Sequence, residues 1–151
     1  MKRDGSSTAG LPCMCASIRR VSRSLTQLYD EALRPAGLRA TQFTLLQALS
    51  RKGEMTQGQL GQMLAIDSTT LTRTLEILSR DGWIQARRGE DRRERLLQLS
   101  PAGKRKLERA LPHWKKLQAR LRDALGDERW SSLLEASNEL TDVITDFAEK
   151  K

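Results

Sequence analysis

The stretch TQGQLGQMLAIDSTTLTRTLEILSRDGWI, residues 56 to 84, constrains this chain more than any other, because it carries two helix starts and a helix stop at short, fixed spacings. Thr56 is a candidate N-cap, and Gln59, three residues on, is placed to close a reciprocal capping box. Leu60, Met63 and Leu64 then form the apolar stripe of a short helix, and Ala65 and Ile66 fill a tight turn. Asp67 is able to cap a second helix whose buried face is Leu71, Leu75 and Leu78, with Gly82 placed to end it. The open face of that second helix keeps Ser68, Thr69, Thr70, Thr72, Arg73 and Glu76. Short hydroxyls and one arginine on a leucine-anchored helix suit base edges in a DNA major groove, while Thr56 and Gln57 on the first helix are placed to hold phosphates. The same pattern also suits a helical hairpin that only packs, with a solvated outer face.

The next stretch narrows the choice. Segments WIQAR and RLLQLS read as two strands around RRGEDRRER, residues 87 to 95, which holds five arginines, three acids and one glycine. Such a tip is too charged to be core. Directly after two helices and a turn, the hairpin reads as a wing whose Arg87, Arg88, Arg92 and Arg93 reach phosphates and the narrow, electronegative minor groove. Asp91, two residues from Arg93, supplies a carboxylate that orients a guanidinium. The bland alternative is a solvated charged turn.

Around this centre lie helices with more apolar surface than a small winged domain can cover. Ile18, Val21, Leu25, Leu28 and Leu33 recur at helical spacing up to Pro35 and Gly37, and Phe43, Leu45, Leu46 and Leu49 mark a second helix. Pro101 opens a long helix with Leu107, Leu111, Trp114, Leu117, Leu121 and Leu125 on one stripe. After Gly126 a last helix carries Trp130, Leu133, Leu134, Leu140, Val143, Ile144 and Phe147. The expected fold is mainly α with a small β-hairpin wing. Its parts are a disordered arm over 1–12, a dimerisation helix over 13–36, a winged helix-turn-helix over 37–100 and C-terminal dimerisation helices over 101–151. A second copy about a two-fold axis is the simplest cover for the surplus, and it matches a palindromic DNA site. A monomeric helical cap is the alternative.

Charge agrees with a polyanionic partner. The 151 residues hold 27 Lys+Arg against 19 Asp+Glu, a net charge of +8. Residues 87 to 106 hold eight basic and three acidic side chains, whereas residues 127 to 149 hold one arginine and seven acids, so a basic middle precedes an acidic last helix. No apolar run is long enough to span a bilayer, and MKRDGSSTAGLP lacks the apolar core of a secretory signal, so a cytoplasmic protein without membrane contact is expected. With one histidine, no Gly-rich phosphate loop and no metal-ligand cluster, the sequence offers no catalytic site, metal or cofactor. A winged module that binds protein instead of DNA remains a rival, against which the basic wing argues.

With these elements in order, the chain resembles the MarR family of winged helix-turn-helix regulators over about residues 14 to 149. The residues that carry the likeness are YDEALRPAGLRATQFTLLQAL (29–49), TQGQLGQML, DSTTLTRTLEILSRDGWI, the wing core EDRR (90–93) and LSPAGK (99–104). The resemblance implies a homodimer with interlocked first and last helices, a double-stranded operator read by the second helix of the motif, and a wing arginine in the minor groove, with Asp91 and Arg93 on the wing motif. Repression is the usual mode it implies, relieved by a small aromatic or anionic effector bound between dimerisation helices and DNA-binding lobe. Candidate lining residues are Arg20, Tyr29, Phe43, His113 and Trp114, each of which also reads as ordinary helix packing.

Cys13 and Cys15 open a second route. They are too few and too close for a disulfide scaffold or a four-ligand zinc site within one chain, and read as reduced thiols at rest. The family's organic-hydroperoxide sensors place a reactive cysteine fourteen residues before a tyrosine, a spacing that Cys15 and Tyr29 reproduce. Those sensors carry further tyrosines where this chain has Arg19 and Ala40. Small-residue packing at a dimer interface is the competing reading of Cys15.

Overall fold

The computed structural model describes residues 13–90 and 95–150, apart from the side chain of Glu149. Helix α1 runs Met14–Leu33 and closes through a 3-10 turn, Arg34–Ala36, where Pro35 ends the α-helix and Gly37 takes the left-handed conformation (φ 65°). Helix α2, Ala40–Lys52, receives its cap from outside. Asp30 on α1 accepts from the Ala40 amide (2.7 Å) and from Nη1 of Arg39 (3.1 Å), and the side-chain oxygen of Gln42 accepts from the Arg39 amide (2.9 Å). One carboxylate thus satisfies a helix start and ties α1 to α2.

The remaining elements are β1 (Met55–Thr56), α3 (Gln57–Leu64), α4 (Ser68–Arg80), β2 (Ile84–Arg88), β3 (Arg95–Leu99), α5 (Pro101–Leu125) and α6 (Asp127–Glu149). The three strands form an antiparallel sheet in the order β1-β3-β2, with β3 in the middle. The fold is the expected one, mainly helical with a small winged sheet. The sheet's third strand, β1, is an addition to the expected hairpin; it pairs Met55 with Leu97 and Thr56 with Leu96.

Two compact units divide within α5, the first ending at Leu111 and the second beginning at Pro112, a residue without an amide N–H to give the helix. In the first unit α2 packs on β3 and α4, and α4 packs on α3 and β2. Leu33, Leu45, Leu46, Leu60 and Leu78 are fully buried there, joined by Phe43, Leu49, Leu71, Leu75, Ile84, Leu97 and Leu99. Burial of each such large aliphatic stabilises the fold by about 1.5–3 kcal/mol. In the second unit Leu117 is buried, while Leu133, Leu134, Val143, Ile144 and Phe147 of α6 are all exposed.

The start of α5 is held by a short knot. The Ser100 hydroxyl accepts from the Gly103 amide (2.9 Å), capping the helix, and donates to the Gly82 carbonyl (2.6 Å). The Ser100 amide donates to the Trp83 carbonyl (3.1 Å). A Cβ on Gly103 would lie 1.8 Å from that same carbonyl oxygen, so only glycine permits this approach. Lys106 completes the knot, its ammonium 4.4 Å from the Trp83 ring centroid. The turn after α4 is therefore fastened to the first turns of α5.

Candidate nucleic-acid interface

Each helix of the central pair is closed by its own side chains. The Thr56 hydroxyl accepts from the Gln59 amide (3.1 Å) while the Gln59 side chain accepts from the Thr56 amide (2.8 Å), a complete capping box. Helix α3 stops at Ala65, the one non-glycine with positive φ (49°) among the described residues, and the Ile66 amide returns to the Gly61 carbonyl (3.2 Å). A Cβ on Gly61 would meet Leu71 Cδ2 at 3.1 Å, so this glycine lets α3 approach α4 closely.

Helix α4 starts at Asp67, whose carboxylate accepts from the Thr70 amide (2.9 Å). Hydrogen bonding at Thr70 holds the Asp67 carboxyl below its ordinary pKa. That anionic cap already takes part of the helix terminus, leaving less of it for a phosphate. Leu71, Thr74, Leu75 and Leu78 face inward, and Ser68, Thr69, Thr70, Thr72, Arg73 and Glu76 are all exposed. Thr74 is buried despite its hydroxyl because Oγ1 donates to the Thr70 carbonyl (2.8 Å).

Two of the expected interface residues meet directly. The Gln57 amide nitrogen donates to the Thr72 hydroxyl (2.8 Å), tying the first turn of α3 to the open face of α4. Both also line a groove of about 370 Å³ between α4 and the sheet, with Glu76, Arg80, Ile84 and Arg95 among its walls.

Strand register sorts the wing arginines. Arg88 lies directly opposite Arg95, on the sheet face of Ile84, Ala86 and Leu97, of which Ile84 and Leu97 are buried and all three line the α4 groove. Two like charges at facing positions repel, a cost that an anion between them removes. Arg95 was not among the expected contact residues; its place opposite Arg88 depends on a cross-strand pairing that no local motif announces. Arg87 lies on the other face and is already engaged. Its Nε and Nη2 donate to the two carboxylate oxygens of Glu54, and Nη1 donates to the Arg88 carbonyl (3.2 Å). The Arg87 guanidinium holds the Glu54 carboxyl below its ordinary pKa, and Glu54 raises that of Arg87. Asp91, Arg92 and Arg93 lie outside the described residues.

The expected effector and redox residues are distributed differently. Arg20 is exposed and lines a groove of about 570 Å³ along the start of α1 with Cys13, Cys15, Arg19, Arg23 and Ser24. Tyr29 is half-buried, which raises its phenol pKa, and Phe43 is a core side chain at 3% exposure. His113 and Trp114 are half-buried residues of the second unit. Both cysteines are free and exposed. Among the described residues, no group of three or more potential ligands is placed to hold a metal, and no helix is long and apolar enough to cross a membrane.

Known proteins share this arrangement. The family model described as "MarR family" matches residues 38–94. The crystal structure of the Mycobacterium tuberculosis transcriptional regulator MosR in complex with DNA aligns at TM-score 0.80 and 35% identity, over 89% of this chain and 97% of that one. The chain belongs to the MarR family. A further relative by sequence is the uncharacterized Bacillus subtilis HTH-type transcriptional regulator YwoH, 36% identical over 91 residues. That match spans 60% of this chain and 66% of YwoH, just under two thirds of the relative's length. A probable transcriptional regulator of Pseudomonas aeruginosa aligns at TM-score 0.76 and 27% identity, over 85% of this chain and 97% of that one. MarR-family members are transcriptional regulators and not enzymes.

Proposed function

We propose that this MarR-family regulator binds double-stranded DNA as a homodimer and represses transcription from a palindromic operator until a small aromatic or anionic effector releases it. The observation that carries the reading is the open face of α4, where Ser68, Thr69, Thr72 and Arg73 stand exposed on a helix held from behind by Leu71, Leu75 and Leu78. The facing Arg88 and Arg95 supply a place for a phosphate beside it. A relative at 35% identity whose structure contains DNA supports the same partner. In this reading Thr56, Gln57 and Arg88 position the duplex, α4 reads base edges, and Arg92 and Arg93, oriented by Asp91, enter the minor groove. Arg20, Tyr29, Phe43, His113 and Trp114 are the proposed effector residues.

The test is binding to duplexes selected from genomic fragments. Arg93→Ala is expected to weaken all selected duplexes alike, whereas Thr69→Ala and Arg73→Ala relax preference at particular base pairs. A protein that selects no duplex, or an Arg93→Ala variant with unchanged affinity and salt dependence, contradicts it.

One observation favours a redox switch as a second reading. Cys13 is the N-cap of α1, in extended conformation (φ −115°, ψ 115°), and so lies outside the helix that contains Cys15. Bringing the two sulfurs together would act on the first turn of α1, where the Ser17 amide donates to the Cys13 carbonyl (3.1 Å). A hydroperoxide would oxidise the Cys15 thiolate to a sulfenic acid and leave as the alcohol; attack by the Cys13 thiol would then form the disulfide and release water. Oxidant should free the duplex from wild type and not from Cys15→Ser, with reductant restoring binding. Wild-type binding that survives demonstrated modification of Cys15 returns the cysteines to packing.

A further inference from the structure

Glu54 belongs to none of the motifs that suggest DNA contact, yet it makes the most extensive side-chain ion pair among the described residues. It sits between Gly53, which ends α2, and Met55, which begins β1, two residues before the Thr56 cap of α3. Its partner Arg87 is 33 residues later, on β2. Because β3 separates β1 from β2, the pair reaches across the central strand, whose Leu96 pairs with both Thr56 and Arg87. Strand β1 is two residues long, so its ladder gives the wing only a short hold on the start of the helix-turn-helix. A side-on, two-point guanidinium–carboxylate contact resists rotation as well as separation. All three guanidinium nitrogens of Arg87 donate within the protein, the third to the Arg88 carbonyl beside the cross-strand arginines.

We propose that Glu54 is a positioning residue of the DNA interface: clamped to Arg87 across β3, it fixes the direction of the wing relative to α3 and α4. The inference rests on the DNA-binding reading above and changes the part Arg87 plays in it, from phosphate contact to the other half of the clamp. A wing is a lever, so a small rotation at its base moves the tip by more, and contacts of tip and recognition helix with one duplex then stop coinciding.

The experiment uses the full chain and a duplex selected from a random-sequence library by the wild-type protein, with melting curves to show that each variant is folded. Glu54→Gln and Arg87→Gln should each weaken binding about fivefold to tenfold, and the double variant no further, because both remove one contact. The dependence of affinity on salt should stay as in wild type, since no phosphate contact is lost. The charge-reversed pair Glu54→Arg with Arg87→Glu should regain most of the affinity, a recovery that bulk destabilisation does not give. Hydroxyl-radical protection should weaken in the minor groove under the wing before it weakens in the half-site under α4. Tighter binding by Glu54→Gln with a steeper salt slope overturns the proposal, because Glu54 would then be a competitor that keeps Arg87 from phosphate. Unchanged binding by Glu54→Gln, or no recovery in the reversed pair, overturns it as well. A wild-type protein that selects no duplex fails the DNA-binding reading itself, a distinct outcome.

Discussion

The α3–α4 pair and helix α6 are all amphipathic in sequence, yet the pair is finished within a single chain and α6 is not. Around α3 and α4 every start and stop has a partner nearby: Thr56 with Gln59, Asp67 with Thr70, Gly61 against Leu71, and the turn after α4 fastened through Ser100. Leu60, Leu71 and Leu78 are buried at 2% exposure or less. In α6 the corresponding apolar side chains stay in the open, with Ile144 at 57% and Phe147 at 69% exposure. The start of α1 is like α6, with Ile18 and Val21 half exposed. A closed element can present a face to a ligand without rearranging, whereas an open one needs a second surface to cover it. The division fits the proposed homodimer, in which the closed part meets DNA and the open part meets a second copy.

The largest effect should come from attacking the open region. Ile144→Glu is expected to abolish self-association and, with the loss of the second half-site, to lower duplex affinity about 100-fold or more. Sedimentation equilibrium measures the first effect and duplex titration the second. A variant that remains dimeric would remove α6 from the assembly.

Next in size is damage to the closed region from behind. Gly103→Ala puts a methyl group into the Trp83 carbonyl and should reduce stability by about 1–3 kcal/mol, read as a lower melting temperature. Wild-type melting would mean that α5 does not approach the turn this closely.

Much of the closed region was legible in the sequence because its devices are local. A cap acts over three residues, so Thr56 with Gln59 and Asp67 before α4 could be read as written, and the leucine spacing of α4 gave its buried face. The devices that could not be read join distant residues. Strand β1 exists only because Met55 and Thr56 pair with Leu97 and Leu96 some forty positions on. Arg87 looked like one wing cation among several until register placed it opposite Leu96 and within reach of Glu54. Arg95 gained its place from the same register. Thr74 joins the buried face of α4 because its hydroxyl is satisfied by the helix's own backbone, a bond that leaves no trace in the pattern of residue types.

Smaller effects sharpen the comparison. Arg73→Ala and Thr69→Ala leave the closed region intact and should cost about 1–3 kcal/mol at one base pair each, with little change elsewhere in the site. Selection of duplexes by each variant shows whether preference is lost at one position or at many. Equal losses at all positions would assign these side chains to the phosphates.

The smallest expected effect is acid sensitivity at the α4 cap. The Asp67 carboxyl is held below its ordinary value of 3.8 in the folded chain, so the unfolded chain binds its proton first as pH falls. The stabilisation is full above that ordinary value and is lost as pH drops through the lowered one. Melting curves over this range should show a slightly shallower loss of stability in Asp67→Asn than in wild type. Parallel curves would mean that the carboxylate adds nothing to the cap beyond a neutral acceptor.

The proposed assembly brings a basic reading surface to DNA in two copies through the open helices. It is tested most directly by titrating a genomically selected duplex with the intact protein at a series of salt concentrations, with stoichiometry measured at saturation. Two chains per duplex are expected, with an affinity that falls steeply with salt, by about 0.9 logarithmic units per tenfold change in salt for each phosphate neutralised. One chain per duplex, or an affinity that stays flat as salt rises, would contradict it.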